Sequence, residues 1–301
     1  MSYFDILKKA YTEQYAQTYQ DDEYYYLYKH FSYGVKDSKL EFKVLDSFYN
    51  SSLLFSKPNA FNDPFDCLSL IDYDFSKIKK HELEDLLGKS MTNKYFKLYK
   101  DVEIRKLKDL PHVKNWGDYR RNGFHLTCFN NSPLHILMWS HYACNHEGFM
   151  VEFKFKKLKD YRHLPVPVIY SNDFPKLKYP YNASSKMCLE NNDVGAEYLI
   201  KLFSNKAECW SYENEFRMLN IKGNLVNPKE PYEIESDLFS SVIFGNKVSE
   251  RRKDETIKAI SAFNHKYDKH IKIYDAKMKD DKYELFVPNH PRLDGKEFKA
   301  I

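Results

Sequence analysis

Residues 149–155 read FMVEFKF. Successive side chains of a β-strand point to opposite faces, so apolar residues that alternate with other residues indicate a strand. The odd-numbered positions are all large and apolar: Phe149, Val151, Phe153 and Phe155. The even-numbered positions are mixed: Met150, Glu152 and Lys154. The pattern predicts a β-strand with one wholly apolar face.

Further elements are predicted on both sides of this strand. The β-prone, aromatic stretch YYYLYKHF at residues 24–31 is predicted to form the first core strand. Shorter strands are predicted at residues 53–56, 124–129, 213–219, 241–244, 271–274 and 283–287. Helices are predicted at residues 1–20, 38–50, 76–108, 132–143, 193–206 and 249–265. Because strands and helices interleave irregularly, the expected class is α+β.

The chain shows no internal repeat, no low-complexity linker and no Pro/Gly-rich hinge, and it has 9 glycines. We therefore expect residues 1–301 to form a single domain. Within it, residues 1–22 are predicted to be an N-terminal helical arm and residues 76–120 a charged helical insertion. The core then comprises residues 23–75 and 121–301.

The composition is that of a globular protein, with 43% hydrophobic and 30% charged residues. A net charge of +4 permits a nucleic-acid partner without indicating one. Five cysteines without a CxxC pair argue against a disulfide framework or a zinc ribbon. No signal-peptide pattern and no apolar run of roughly 20 residues occur, so we expect a cytoplasmic protein without a membrane partner.

The stretch WSYENEFR at residues 210–217 concentrates charge on one predicted strand. Strand periodicity places Glu213, Glu215 and Arg217 on a single face. One interpretation is a solvated face with Glu–Arg pairs. The other is a glutamate that Arg217 holds in a pocket, where it stabilises a developing cation or accepts a proton from a substrate hydroxyl.

The stretch LHILMWSHYA at residues 134–143 is predicted to be a helix, with Ser132 as its N-cap and Pro133 at its first position. Its apolar face is predicted to consist of Leu134, Leu137, Met138 and His141. On that face His141 is either a hydrogen-bonded core residue or a catalytic group. Trp139 and Tyr142 lie on an adjacent face, where they can stack on a flat ligand. No second histidine follows at metal-ligand spacing, and no metal site is predicted.

Two further segments carry candidate ligand contacts. In LFSKPNAFNDPFD, residues 54–66, the loop after a short strand offers Ser56, Asn62 and Asp63, which either bind a ligand or only fix the local backbone. In YLYKH, residues 26–30, Tyr28 and His30 share one face and Lys29 lies opposite. Phosphate loops, GxGxxG, GxSxG and HExxH are all missing from the sequence, which disfavours the usual NTPases, serine hydrolases and zincins.

These stretches occur in a distinctive order: LYKHFS, LFSKPNAFNDPFD, HLTCFN, MWSHYACNHEGFMVEF, a lone Lys206, WSYENEFR and VIFG. The order resembles a bacterial family known only as a domain of unknown function, common among phage-defence and mobile-element genes. The resemblance covers roughly residues 24–260.

The layout also resembles a divergent ADP-ribosyltransferase, which implies a bent or split antiparallel sheet with flanking helices that binds NAD as substrate. The resemblance assigns NAD binding to Tyr28 or His30 and to Phe55 and Ser56, and catalysis to Glu215 or Glu213. It implies a toxin that modifies RNA, DNA or protein and that a neutralising antitoxin controls. The chain departs from this pattern by lacking an S-T-S triplet, and His141 and Tyr142 have no standard role there.

Two alternatives stay open. The pair Glu152 and Lys154 forms an E-x-K pattern of the kind that metal-dependent nucleases use, although the spacing to a preceding acid is not typical. The third hypothesis is a non-catalytic module that binds a nucleotide or senses a phage component and releases its ligand unchanged.

Overall fold

A computed structural model describes residues 3–38, 41–115, 121–122, 124–157, 164–178, 201–219 and 231–295. The α-helices are α1 (Tyr3–Ala16), α2 (Asp46–Tyr49), α3 (Lys80–Leu87), α4 (Asn93–Asp109), α5 (Pro111–Lys114), α6 (Ile136–Tyr142) and α7 (Glu250–Tyr267). Single 3₁₀ turns lie at Lys43–Leu45, Pro58–Ala60, Glu208–Glu213 and Ser236–Leu238. None of the helices in these described ranges is long and apolar enough to cross a bilayer.

The strands that build the main sheet are β1 (Tyr19–Gln20), β2 (Tyr24–Phe31), β5 (Leu126–Asn130), β6 (Phe149–Lys156), β7 (Val166–Pro167), β11 (Glu215–Leu219), β13 (Phe239–Phe244) and β14 (Lys272–Asp275). Short two-stranded pairings use β3 (Ser52–Leu53), β4 (Leu70–Asp72), β8 (Ile169–Ser171), β9 (Lys176–Lys178), β10 (Asn205–Ala207), β12 (Tyr232–Glu233), β15 (Lys277–Met278) and β16 (Leu285–Phe286).

The main sheet has the order β14-β13-β6-β2-β5-β11-β7, with β1 added beside β2. Its pairs are antiparallel except for β13 and β14, which are parallel because α7 carries the chain back between them. The predicted α+β class is confirmed, but the expectation of an antiparallel sheet is wrong at this edge, and the sheet is mixed.

β6 lies between β13 and β2, and the strand predicted from FMVEFKF is confirmed. Its aromatic face packs in the largest core cluster together with Phe48 of α2 and Phe263 of α7. The other face is buried as well from Met150 to Glu152, because helix α6 and the C-terminal segment cover it. Period-two alternation identified the strand correctly but did not show that both of its faces are covered.

The first core strand also has its predicted bounds, Tyr24–Phe31. It pairs with β6 along its whole length but meets β5 only at Tyr28 and Asn130. At this junction the Asn130 amide donates to the Tyr28 carbonyl at 2.9 Å, and the Lys29 ammonium donates to the Cys128 carbonyl at 2.9 Å. The sheet is therefore joined narrowly between β2 and β5, and side-chain hydrogen bonds link the two strands at this junction.

Residues 76–120, which the sequence predicts to be a helical insertion, contain helices α3, α4 and α5, and residues 116–120 lie outside the described part of the chain. These helices and the loops beside them share an apolar cluster formed by Phe75, Ile78, Leu83, Met91, Leu107 and Val113. Burial in this cluster stabilises the three helices against one another.

Helix α6 differs from its prediction. It begins at Ile136, because residues 132–135 form a turn in which the His135 amide donates to the Ser132 carbonyl at 3.2 Å. Ser132 is therefore not the N-cap, and its hydroxyl accepts from Asn214 instead. The buried pair is Met138 and Trp139, whereas Leu137 and His141 are exposed. The apolar face predicted from helical spacing is thus wrong for those two residues.

The bounds of several other elements also differ from their predictions. The 38–50 helix is replaced by the Lys43–Leu45 turn and the short α2, and Ser56 forms a single bridge with Leu126 rather than a strand end. The predicted cap Asp193 lies outside the described residues. Residues 201–203 are helical, but Lys206 belongs to strand β10.

A buried ion pair anchors the C-terminal segment to the sheet. Arg292 donates to both carboxylate oxygens of Glu152, from Nε at 2.8 Å and from Nη2 at 2.7 Å. Burial acts to raise the pKa of Glu152, but the hydrogen bonds and charge of Arg292 lower it overall. The Tyr28 and Ser240 hydroxyls also donate to this carboxylate.

We expect Arg292→Met to lower the free energy of unfolding by about 3 kcal/mol, because it leaves the carboxylate of Glu152 buried without its cation. Urea denaturation followed by circular dichroism measures this loss. The control is Lys258→Met, which removes an exposed ion pair with Glu255 and should change stability by at most about 1 kcal/mol. Equal losses in the two variants would contradict the assignment.

Candidate functional site

A cavity of about 190 Å³ lies where β2 and β5 are narrowly joined. Its lining residues are Lys29, His30, Phe61, Asn62, Asp66, Cys128, Phe129, Asn130, Met138, Tyr142, Lys206, Glu213 and Glu215. The three stretches singled out in the sequence, residues 54–66, 134–143 and 210–217, each contribute to this wall. They are far apart along the chain, and only the fold brings them together.

The two glutamates of WSYENEFR come from different elements. Glu213 ends a 3₁₀ turn, Asn214 adopts a left-handed conformation with φ 43°, and β11 begins at Glu215. The expectation that Glu213 shares a strand face with Glu215 and Arg217 is therefore wrong, because the strand starts two residues later than predicted. Glu215 and Arg217 do share a face.

Lys206 joins the two glutamates. Its ammonium lies 2.5 Å from Glu213 Oε2, 2.9 Å from Glu215 Oε2 and 3.8 Å from Asp66 Oδ2. Strand β10, which pairs with β8 in parallel, holds this lysine in place. The Trp210 ring covers the ammonium at 5.1 Å. An ammonium that faces three carboxylates is a compact electrostatic centre.

Arg217 lies behind the cavity wall and orients two of these carboxylates. Its Nε donates to Glu215 Oε1 at 2.7 Å, and its Nη2 donates to Asp66 Oδ2 at 2.8 Å. Its Nη1 donates to the Phe203 carbonyl at 2.7 Å. Because Glu215 and Arg217 are both buried, the interpretation as a solvated strand face is wrong. The alternative, a glutamate held in a pocket by Arg217, describes the observed geometry.

The environments of the two glutamates shift their pKa values in opposite directions. Burial and the charge of Glu215 raise the pKa of Glu213 to about 7, against the attraction of Lys206. Burial also acts against ionisation of Glu215, but Arg217 and Lys206 outweigh it and hold the pKa of that carboxyl well below its usual range. Two carboxyl groups with separated pKa values are a typical arrangement for acid–base chemistry.

Charge balance explains why Glu213 carries the raised pKa. Lys206 and Arg217 are two cations against the three carboxyl groups of Asp66, Glu213 and Glu215. Protonation of one carboxyl group equalises the charges. Arg217 contacts Glu215 and Asp66 but not Glu213, so the proton is held on Glu213. The Tyr142 hydroxyl, which itself accepts from Asn62, donates to Glu213 Oε1 at 2.6 Å.

Lys29 adds a third cation to the cavity wall. Burial lowers the pKa of its ammonium, which donates to the Cys128 carbonyl. In the described ranges no carboxylate lies within ion-pair distance of it, in contrast to Lys206. The neighbouring His30 is neutral, because burial lowers its pKa to about 3, and its ring packs edge-on against Trp139 at 4.8 Å. The wall near Lys29 therefore favours a ligand that brings negative charge.

Six of the predicted site residues line the cavity: Lys29, His30, Asn62, Tyr142, Glu213 and Glu215. Seven do not: Tyr28, Phe55, Ser56, Asp63, Trp139, His141 and Arg217.

Those seven have other positions. The Tyr28 hydroxyl donates to Glu152 at 3.1 Å, in the cluster under the C-terminal segment. Phe55 packs on Tyr232 in the core. Asp63 accepts from the Phe65 amide, and the Trp139 indole donates to a backbone carbonyl. His141 is exposed, so its assignment as a catalytic residue has no support from the structure.

Sequence reasoning missed several lining residues, above all Asp66, Cys128, Asn130 and Lys206. Asp66 closes the FNDPFD stretch, and Lys206 precedes WSYENEFR as a lone lysine. Both signals were visible, but local sequence gives no means of pairing an acid near residue 66 with a cation near residue 206.

Glu152 and Lys154, which form the E-x-K pair, do not line the cavity. Glu152 is fully buried and engaged by Arg292, and the Lys154 ammonium lies over the Tyr24 ring at 5.1 Å. Across the part of the chain that the structure describes, no group of three or more His, Cys, Asp or Glu residues is arranged to hold a metal ion.

Fold and cavity thus define an α+β protein with a buried carboxylate–lysine centre at a narrow junction of its sheet. Residues 138–218, which include most of α6, all of β6 and the WSYENEFR stretch, match the family model described as protein of unknown function (DUF2971). No curated protein and no solved structure matches the chain.

The raised pKa of Glu213 predicts a pH-dependent stability. Because ionised Glu213 is disfavoured in the folded state, wild-type stability falls as the pH rises from 4.5 through about 7. Glu213→Gln removes this effect, so its stability relative to wild type should rise over that interval by on the order of 2 kcal/mol. Urea denaturation at pH 5 and pH 8 measures the change.

The control for this measurement is Glu208→Gln, which removes an exposed carboxylate from the same 3₁₀ turn. It is measured at the same two pH values, and Glu213→Gln should show the larger change in stability relative to wild type. Changes of equal size in the two variants would show that Glu213 has an ordinary pKa.

Proposed function

We propose that the cavity is the active centre of an NAD-consuming ADP-ribosyltransferase. The observation that carries the proposal is the pair of carboxyl groups, Glu213 and Glu215, that line one cavity with oppositely shifted pKa values. Glycosyl transfer uses two carboxyl groups in this way, one ionised beside the sugar and one that exchanges a proton.

In the proposed reaction the bond between ribose C1′ and the nicotinamide nitrogen breaks. Neutral nicotinamide leaves with the bonding electron pair, and the ribose becomes an oxocarbenium-like cation. The carboxylate of Glu215 stabilises this positive charge. The acceptor nucleophile then forms a bond to C1′, and its proton passes to the ionised form of Glu213, which is populated at neutral pH because the pKa is about 7.

Lys29 provides the second line of support. Its ammonium lines the cavity and has no carboxylate within ion-pair distance in the described ranges. A ligand with a diphosphate, such as NAD, supplies the missing negative charge. A cavity of about 190 Å³ suits the nicotinamide-ribose half of NAD, which leaves the adenosine half beyond the cavity.

The biological role follows from the sequence resemblance. We infer a toxin or effector, in anti-phage defence or a toxin–antitoxin system, whose acceptor is RNA, DNA or protein. An enzyme that consumes NAD in its own cell requires control, and a neutralising antitoxin would provide it.

One observation favours a second candidate, a module that binds a nucleotide without changing it. Arg217 and Lys206 neutralise Glu215, and a neutralised carboxylate stabilises a cation less well. In that case the cavity would bind NAD or a related nucleotide and release it intact.

Nicotinamide release from NAD tests the transferase proposal directly. Purified protein should release nicotinamide, with total RNA, DNA and lysate protein supplied as separate acceptors, and the acceptor that gains the mass of ADP-ribose identifies the target class. Glu215→Gln should lower the rate at least about 100-fold, because one preorganised electrostatic contact is typically worth that much. Undiminished release by Glu215→Gln would contradict the proposal, and bound but unchanged NAD would support the binding module.

We expect Lys29→Met to weaken NAD binding by about 10-fold or more, because it removes the cation available to the diphosphate. Isothermal titration calorimetry with NAD measures the affinity without requiring turnover. Lys272→Met, which changes an exposed lysine on β14, is the control and should bind NAD as wild type does. Unchanged affinity in Lys29→Met would place the diphosphate elsewhere.

A further inference from the structure

Helix α4 of the insertion presents a second apolar face to solvent. Tyr95, Leu98, Tyr99 and Val102 follow the i, i+3, i+4, i+7 spacing of a single helical face. Their exposed fractions are 37%, 66%, 46% and 40%. The rings of Tyr95 and Tyr99 pack on each other at 4.7 Å, so the face is a continuous apolar strip, which we call the α4 stripe.

The α4 stripe is not the face that α4 uses in its own core. Glu103 and Leu107 are buried on a different side, where Leu107 packs with Leu83 of α3. A helix at a protein surface normally has one apolar face, which packs inward. A second face of four large side chains indicates a surface that another molecule covers.

The charges beside the α4 stripe indicate what kind of molecule covers it. One flank of the helix carries four exposed cations and one exposed acid: Lys94, Lys97, Arg105, Lys108 and Asp101. Two copies of α4 packed stripe to stripe would bring these cations together, which is unfavourable. A partner with acidic side chains beside its apolar face complements them.

We propose that the α4 stripe is the docking surface for an acidic amphipathic helix of a partner protein. The apolar side chains of that helix would pack on Leu98, Tyr99 and Val102, and its carboxylates would face Lys94 and Arg105. Tyrosine and arginine, which the surface offers at Tyr99 and Arg105, are enriched at the centres of protein interfaces. None of these residues lines the cavity, so this inference does not depend on the proposed enzymatic activity.

Fluorescence anisotropy with the full-length protein tests the docking surface. The probe is a synthetic helical peptide of about 20 residues with leucines at i, i+3, i+4 and i+7 and glutamates on its other faces. The comparison peptide has lysine in place of every glutamate. We expect the acidic peptide to bind more tightly than the basic one, and Leu98→Asp to weaken its binding about 10-fold or more.

The control is Ile257→Asp, which changes a 40% exposed apolar side chain on α7 and should leave peptide binding unchanged. Equal affinity for the two peptides, no binding of the acidic peptide, or binding that Leu98→Asp does not weaken would overturn the proposal. Two further measurements test whether a membrane or a second copy of the chain covers the α4 stripe. Leu98-dependent binding to phosphatidylserine vesicles, or Leu98-dependent self-association in sedimentation velocity, would replace the protein partner by a membrane or a second copy.

Discussion

The arrangement of the cavity depends on one buried ammonium, that of Lys206, held among the carboxyl groups of Asp66, Glu213 and Glu215. Removing one partner from such a cluster leaves an uncompensated charge, which costs about 3–5 kcal/mol in buried ion pairs. The partners come from the loop after β3, from β10, from a 3₁₀ turn and from β11. The last three are consecutive in the chain, so the electrostatic pairing joins residues 205–219 to the distant loop that carries Asp66.

The same cluster links stability to chemistry. Burial and the charge of Glu215 raise the pKa of Glu213 to about 7, and this makes Glu213 a group that can exchange a proton near neutral pH. Burial strengthens every interaction in the cluster and excludes water from the carboxylates. A site built this way sacrifices some stability at high pH for a carboxyl group with a shifted pKa, a common property of functional centres.

The cavity and the exposed surface of the helical insertion lie on different elements of the fold. The cavity lies at the junction of β2 and β5, whereas α3, α4 and α5 share another apolar cluster and α4 carries the α4 stripe. A binding surface on these helices can arise without disturbing the charge balance of the cavity.

The sequence alone was sufficient to predict several local elements and the three stretches that line the cavity. Period-two alternation located β6, β-prone aromatic composition located β2, and the stretches at residues 54–66, 134–143 and 210–217 do surround one cavity. Tertiary structure decided which face of each element is covered, so Lys29 rather than Tyr28 lines the cavity and His141 stays exposed. It also decided that Lys206 meets Asp66. The physical reason is that periodicity shows which side chains share a face, whereas the choice of partner depends on long-range packing and charge pairing that no local pattern contains.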